Sequence, residues 1–135
     1  MDLTAPFELT YTYRRSTGPI LGAFFTALGE GRLLGARCAD GRVLMPPAEA
    51  DPTTGRDVEG LVDVGPEGTV ICAAHAPSSP EGQPGGWALI QLDGATTGLL
   101  HRVFGPAAAG ARVRARFQTP ATGTYADLEG FEVIA

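Results

Sequence analysis

Three arginines alternate with apolar residues in the segment that runs from Arg112 to Phe117. Arg112, Arg114 and Arg116 are each separated by one residue, so a β-strand would place their guanidinium groups on one face. Guanidinium groups bind phosphate and carboxylate groups well. The row is therefore a candidate contact for a discrete polyphosphate or for an acidic partner. The alternative is the ordinary solvated outer face of a strand.

The two histidines, His75 and His101, are the other candidates for chemistry. Neither lies at a motif spacing from a cysteine or a carboxylate, and the sequence has no nucleophile elbow, P-loop or dinucleotide-binding glycine motif. His101 alternates with Leu99 and Val103, which favours a hydrogen-bonded structural histidine, with a base as the alternative. The sequence therefore predicts no catalytic residues in this chain.

Cys38 and Cys72 are the only cysteines. A structural zinc site needs four ligands, usually in two C-x₂-C pairs, so we expect no metal site and no cofactor. Two thiols do not form a disulfide framework, and the first residues carry no basic and apolar leader. A cytoplasmic protein is the expectation.

The composition favours a small β domain. The 135 residues include 19 Gly and 11 Pro, which are typical of short strands joined by turns. The net charge is −5, which disfavours general nucleic-acid binding because phosphate neutralisation dominates that affinity. No run of apolar residues is long enough to span a membrane.

The first part of the chain predicts an extended arm followed by a helix. Residues 1–17 alternate apolar with polar positions, and Tyr11 and Tyr13 belong to that alternation. Pro19 suits the first turn of a helix, which Gly29 and Gly31 end. The helical stripe, which contains Phe24 and Phe25, either packs on the barrel or binds a partner. We therefore list Tyr11, Tyr13, Phe24, Phe25 and Trp87 as candidates for a partner interface.

The rest of the chain predicts strands. A hairpin is indicated around Asp40-Gly41 and a loop over residues 48–58. The long segment Ala76–Gly86 predicts a mobile loop, and Trp87 at its end is most simply a core residue. The predicted strands are Leu33–Arg37, Val43–Met45, Leu61–Val64, Thr69–Ala74, Trp87–Leu92, Leu99–Val103, Arg112–Phe117 and Phe131–Ile134.

Several segments together resemble one family, the zinc-ribbon plus OB-fold acyl-CoA-associated proteins known as domain of unknown function thirty-five. The match covers about three-quarters of the chain, from Tyr13 to Phe117. Its segments are Tyr13–Pro19, Gly31–Gly35, Gly41–Pro47, Val64–Val70, Trp87–Ala95 and Leu99–His101. The resemblance implies an arm and helix over residues 1–31, a ribbon hairpin and loop over 32–58, and an OB-fold barrel over 59–135.

The sequence departs from the family at the zinc ribbon. Alignment on Gly41 and on Pro46-Pro47 puts Arg37, Asp40, Asp51 and Thr54 at the four ligand positions. None is a thiol, and Cys38 is one residue out of register. We therefore expect a metal-free ribbon, held without the folding energy that a metal supplies.

The resemblance also implies a function. Members accompany thiolase-fold enzymes, and this sequence is most similar to the branch that accompanies an aldolase in steroid side-chain degradation. We expect a non-catalytic subunit of a hetero-oligomer that acts on an acyl-CoA thioester, by retro-aldol cleavage or alternatively by thiolysis. Arg112, Arg114, Arg116 and His101 would then be candidate CoA contacts. A stand-alone OB-fold binder of single-stranded nucleic acid is a weaker alternative, since the aromatic content is 7%.

Overall fold

The computed structural model describes residues 3–14, 16–76 and 85–135. Within these residues the chain forms one α-helix, eight β-strands and one 3-10 turn at Tyr125–Asp127, so it is mainly β, as predicted. The helix α1 is Gly18–Gly29. The strands are β1 Leu33–Arg37, β2 Val43–Leu44, β3 Gly60–Val64, β4 Glu67–Ala76, β5 Gly85–Leu92, β6 Leu99–Phe104, β7 Arg112–Phe117 and β8 Leu128–Val133.

Each predicted strand is present, with bounds that differ from the prediction by no more than three residues. The largest shift is at β8, which begins at Leu128 rather than at Phe131. The two ends of the predicted loop Ala76–Gly86 belong to β4 and β5, and its middle, residues 77–84, lies outside the described residues. The 3-10 turn was not predicted.

Helix α1 follows the exposed arm of residues 3–14, which has no regular secondary structure. Proline stands in its first turn, and Phe24, Ala27 and Leu28 form its buried side, at the spacing of one helix face. The helix ends where the N–H of Glu30 donates to the carbonyl of Ala27, 2.9 Å away. The predicted apolar stripe thus packs mainly inward.

The strands β1, β2 and β3 form an antiparallel sheet, here called the ribbon sheet, in the order β2-β1-β3. The predicted hairpin joins β1 to β2, and Gly41 in its turn has φ +91°, a backbone conformation that glycine adopts without strain. All five residues of β3 pair with β1, from Leu33↔Val64 to Arg37↔Gly60. The division predicted at residue 59 assigned β3 to the barrel, whereas its pairing places it in the ribbon sheet.

The other five strands close a barrel in the order β4-β5-β6-β8-β7, with β7 returning to β4. Neighbours are antiparallel except for β6 and β8, which are parallel. A closed five-stranded barrel of this kind is the OB-like architecture that the sequence predicts.

One apolar cluster joins the three parts of the fold. It contains Phe24 and Leu28 of the helix, Leu33 of the ribbon sheet, and Ile90 and Phe131 of the barrel. A shared core of this kind fixes the helix and the ribbon sheet against the barrel. No helix among the described residues is long and apolar enough to cross a membrane.

Candidate functional site

The arginine row lies on the outer face of β7, as the alternation predicts. Val113 and Ala115 point into the barrel and are buried, whereas Arg114 and Arg116 between and beside them are exposed. Arg112 lies on the same face and is partly buried. The strand therefore presents three guanidinium groups along about 14 Å of surface, at roughly 3.4 Å per residue.

Each guanidinium of this row already has a carboxylate partner in the chain. Arg112 binds Asp93 through two hydrogen bonds of 2.7 and 2.9 Å, and these hold the pKa of the Asp93 carboxyl below its usual value. Arg114 donates to Glu67 at 2.9 Å, and Arg116 lies 3.4 Å from Glu129. An external anion would have to compete with these carboxylates, so the geometry favours the solvated-face alternative.

His101 points inward with Leu99 and Val103, as predicted, and its side chain is buried. Its Nδ1 accepts a hydrogen bond from the backbone N–H of Arg102, 2.9 Å away. Burial lowers the pKa of the imidazole, so the ring is neutral at pH 7 and carries its proton on Nε2. A neutral, backbone-bonded ring in the barrel wall is not placed to attract a phosphate.

No histidine of the described residues has the partners that nucleophilic catalysis needs. His101 has the backbone contact given above, and His75 lies exposed near the end of β4. Among the described residues, no hydrogen bond joins either ring to a thiol, a hydroxyl or a carboxylate side chain. That this chain supplies no catalytic residue stays a prediction.

His101 belongs to a series of ring contacts that runs from the surface into the core. Trp87 and Tyr125 flank the imidazole, with ring centroids 6.4 and 5.6 Å from it. Tyr125 lies in the 3-10 turn and in turn contacts Phe24, 6.2 Å away. Trp87 is 45% exposed, so the simplest interpretation of this residue as core is wrong. It lies on the surface, where a ligand or a partner can reach it.

The five candidates for a partner interface differ in accessibility. Tyr11 and Tyr13 are 75% and 74% exposed on the arm, and Trp87 is half-exposed. Phe24 is only 1% exposed, because helix α1 turns this ring into the core. A partner cannot reach Phe24, so its prediction as an interface residue is wrong. Phe25 lies between these extremes, partly buried against the same core.

Three of the four ribbon positions that align with metal ligands lie in two facing loops, and the fourth, Arg37, is the last residue of β1. Asp40 belongs to the hairpin turn and Asp51 to the following loop, and both line one surface depression together with Thr54. The guanidinium of Arg42 joins the two loops: its Nε lies 2.7 Å from Asp40 Oδ2 and its Nη2 lies 2.5 Å from Asp51 Oδ2. We call this the Arg42 clasp. Arg42 thus supplies positive charge between two carboxylates at aligned ligand positions.

The residues of the ribbon do not fit a structural zinc ion. No group of three or more His, Cys, Asp or Glu side chains is placed to hold a metal in the described part of the chain. Cys38 is buried nearby, and burial raises the pKa of its thiol, which disfavours the thiolate that zinc requires. Both carboxylates of the clasp already pair with Arg42, whose own pKa is raised by its hydrogen bond to Asp40.

A further polar centre was not predicted. Asp127 is fully buried, and its carboxylate accepts hydrogen bonds from the backbone N–H groups of Thr122 and Gly123 and from the Thr122 hydroxyl, at 2.7 to 2.8 Å. These bonds, led by the N–H of Thr122, hold its pKa below the usual value. The carboxylate fixes the loop that leads into β8. The only sequence signal was an aspartate three residues after the Thr-Gly-Thr segment that ends at Thr124.

Comparison with known proteins identifies the class of fold. No family model matches the sequence, and no curated protein matches it significantly. A solved protein of unknown function from the DUF35 family of Sulfolobus solfataricus is similar in fold to this chain. The TM-score is 0.66 at 23% identity, over 87% of this chain and 83% of that one.

A second solved structure is described as the Ltp2-ChsH2(DUF35) aldolase. It matches with a TM-score of 0.62 at 23% identity, over 89% of this chain and 98% of that one. At such identities the likeness is one of fold. The resemblance that the sequence motifs predicted is thus confirmed in the architecture of the chain, which has DUF35 proteins as its structural neighbours.

Proposed function

We propose that this chain is a non-catalytic accessory subunit of a thiolase-fold aldolase, and that the complex cleaves an acyl-CoA thioester. The exposed apolar arm carries the proposal. Phe7, Leu9, Tyr11 and Tyr13 all stand largely in solvent along one short extended segment. Exposed apolar surface of this extent usually marks an interface between proteins.

The alternation within the arm suits binding to another protein. Every second residue from Phe7 to Tyr13 is apolar, so an extended conformation presents these four side chains on one side and polar groups on the other. The arm packs in no regular element of its own chain. It is therefore free to cover a complementary apolar surface on a partner.

The structural neighbours support the choice of partner. One of them is the Ltp2-ChsH2(DUF35) aldolase, and the match covers 98% of that chain. The proposal assigns the chemistry to the partner, and it is supported by the described histidines, of which His101 has only a backbone contact at its Nδ1. Because that neighbour is an aldolase, the proposal prefers retro-aldol cleavage to thiolysis, with the accessory chain stabilising the partner and shaping its acyl channel.

The test is binding between the purified chain and a candidate thiolase-fold partner, followed by size-exclusion chromatography and calorimetry. The double variant Tyr11→Ser/Tyr13→Ser should weaken the complex at least tenfold, because two aromatic contacts are removed. Its fold should be unchanged, since both rings are exposed. Ile134→Ser, which removes an exposed apolar side chain elsewhere, is the matched control and should bind normally. A partner that binds both variants equally well contradicts the role of the arm.

A further inference from the structure

The wall of the barrel opens beside the second half of β4. Strand β4 pairs with β7 only at Glu67–Thr69, whereas it pairs with β5 as far as Ala76. Beyond Val70 the β4–β5 pair therefore continues without β7 beside it and faces the connection between β6 and β7. A cavity of about 370 Å³ lies in this gap.

The cavity is lined by small and apolar residues. Ala73, Ala74 and Gly86 belong to β4 and β5, Val103 to β6, and Ala107 to the connection. The remaining lining residues are His75, Trp87, Gly105 and Pro106. The short side chains leave the space open. Glycine at position 86 suits the close approach of β5 to β4, because a Cβ there would lie 3.0 Å from the carbonyl oxygen of Ala74.

The chemistry of the lining defines what the cavity can hold. None of the described lining residues is Asp, Glu, Arg or Lys, so the described lining offers a charged group no side chain of opposite charge, whereas its apolar surface suits a hydrocarbon group. The polar side-chain groups are the imidazole of His75 and the indole N–H of Trp87. A volume of this size lies in the range of about 300–1,000 Å³ that is typical of small-molecule sites.

We propose that this cavity binds the uncharged hydrocarbon group of a small amphiphilic molecule. Trp87 forms one wall, and the small residues of β4 form another. Under the function proposed above, on which this identification of the substrate class rests, the bound group is the acyl part of the thioester. The polar end of the molecule, with its phosphates, would remain outside the cavity.

The binding can be measured on the isolated chain through Trp87, which is the only tryptophan. Titration with hexan-1-ol, heptan-1-ol and octan-1-ol should change its emission in a saturable way. Affinity should rise about fourfold per added methylene while the cavity fills. Decan-1-ol and 2-decalol then distinguish a linear chain from a fused ring, and tighter binding of either one identifies the shape of the group.

Two variants fill the cavity. Ala74→Leu and Ala107→Leu should each weaken binding of octan-1-ol at least tenfold. Ala39→Leu, an exposed site on the hairpin turn, is the matched control and should bind like the native chain. Circular dichroism checks that each variant is folded.

Three results would overturn the proposal: no saturable change, affinity that ignores chain length, or equal binding by both cavity-filling variants. A change in emission with protein concentration alone would show that a second copy covers the cavity, and would overturn it as well. Because alcohol binding needs no partner, its failure is distinct from failure of the proposed complex. The partner assay can succeed or fail independently.

Discussion

Arg42 and Asp51 connect the two loops of the ribbon through a contact of 2.5 Å between Nη2 and Oδ2. The side chain of Asp51 is only 6% exposed, so removal of Arg42 leaves a carboxylate poorly hydrated. Arg42→Ala should therefore lower the melting temperature and increase hydrogen exchange in the ribbon sheet first.

The matched control for the clasp is Arg56→Ala, which removes an exposed arginine from the second loop. Thermal unfolding of both variants should show a clear loss for Arg42→Ala and little change for Arg56→Ala. Equal melting temperatures for the two variants would mean that the clasp does not hold the ribbon.

The Arg42 clasp predicts that the ribbon sheet folds without a bound metal. The purified chain should contain no stoichiometric zinc, and a chelator should leave its melting temperature unchanged, because metal-dependent ribbons unfold when the metal is removed. Elemental analysis checks the first expectation and a thermal scan with chelator checks the second. About one zinc per chain would show that the ribbon alignment, which leaves Cys38 one residue away from a ligand position, is wrong.

Because of Asp127, the free energy of unfolding of the chain should fall as the pH is lowered into the acid range. Its pKa is lowered in the folded chain, so its contribution is complete above the unfolded value of about 3.9 and is lost as the pH falls through the lower folded value. Asp127→Asn should be less stable than the native chain at pH 7, with a difference that shrinks below about pH 3.9. Urea unfolding at several pH values measures this. Asp57→Asn, at an exposed site, should show no such trend, and a constant difference for Asp127→Asn would contradict the account.

A substitution at Arg114 tests whether the arginine row is a phosphate contact or a solvated outer face. Its ion pair with Glu67 is largely exposed, so Arg114→Gln should change the free energy of unfolding by no more than about 1 kcal/mol. Since the carboxylates already neutralise the row, the apparent KM of the complex for the CoA thioester should stay within twofold. A several-fold rise in KM, absent in Arg56→Gln, would restore the row as a phosphate contact.

The elements were predictable because their signals are local. Alternation placed Arg112, Arg114 and Arg116 on one face of β7, and Asp40-Gly41 marked the hairpin turn. The pairing of β3 with β1 could not be predicted from a local sequence pattern, because any of several strands could have been the neighbour of β3. The apolar pattern of a strand identifies its buried face but not its neighbour.

The candidate site was less predictable for a similar reason. Helical spacing showed that Phe24 lies on an apolar face, but core and interface have the same pattern, and only the packing of α1 distinguishes them. The clasp between Arg42 and Asp51 and the buried carboxylate of Asp127 join loop residues without a periodic signal. Trp87 lies on the face of β5 opposite the buried Ala88 and Ile90, and the sequence alternation does not show which of the two faces is exposed.

The central claim is that catalysis needs this chain together with a partner. The decisive measurement is cleavage of an acyl-CoA thioester by the chain alone, by the thiolase-fold partner alone and by the two in equal amounts. The account predicts no turnover by the chain alone, and at least tenfold more by the complex than by the partner alone. Turnover by the chain without a partner, or a partner whose rate the chain leaves unchanged, would contradict it.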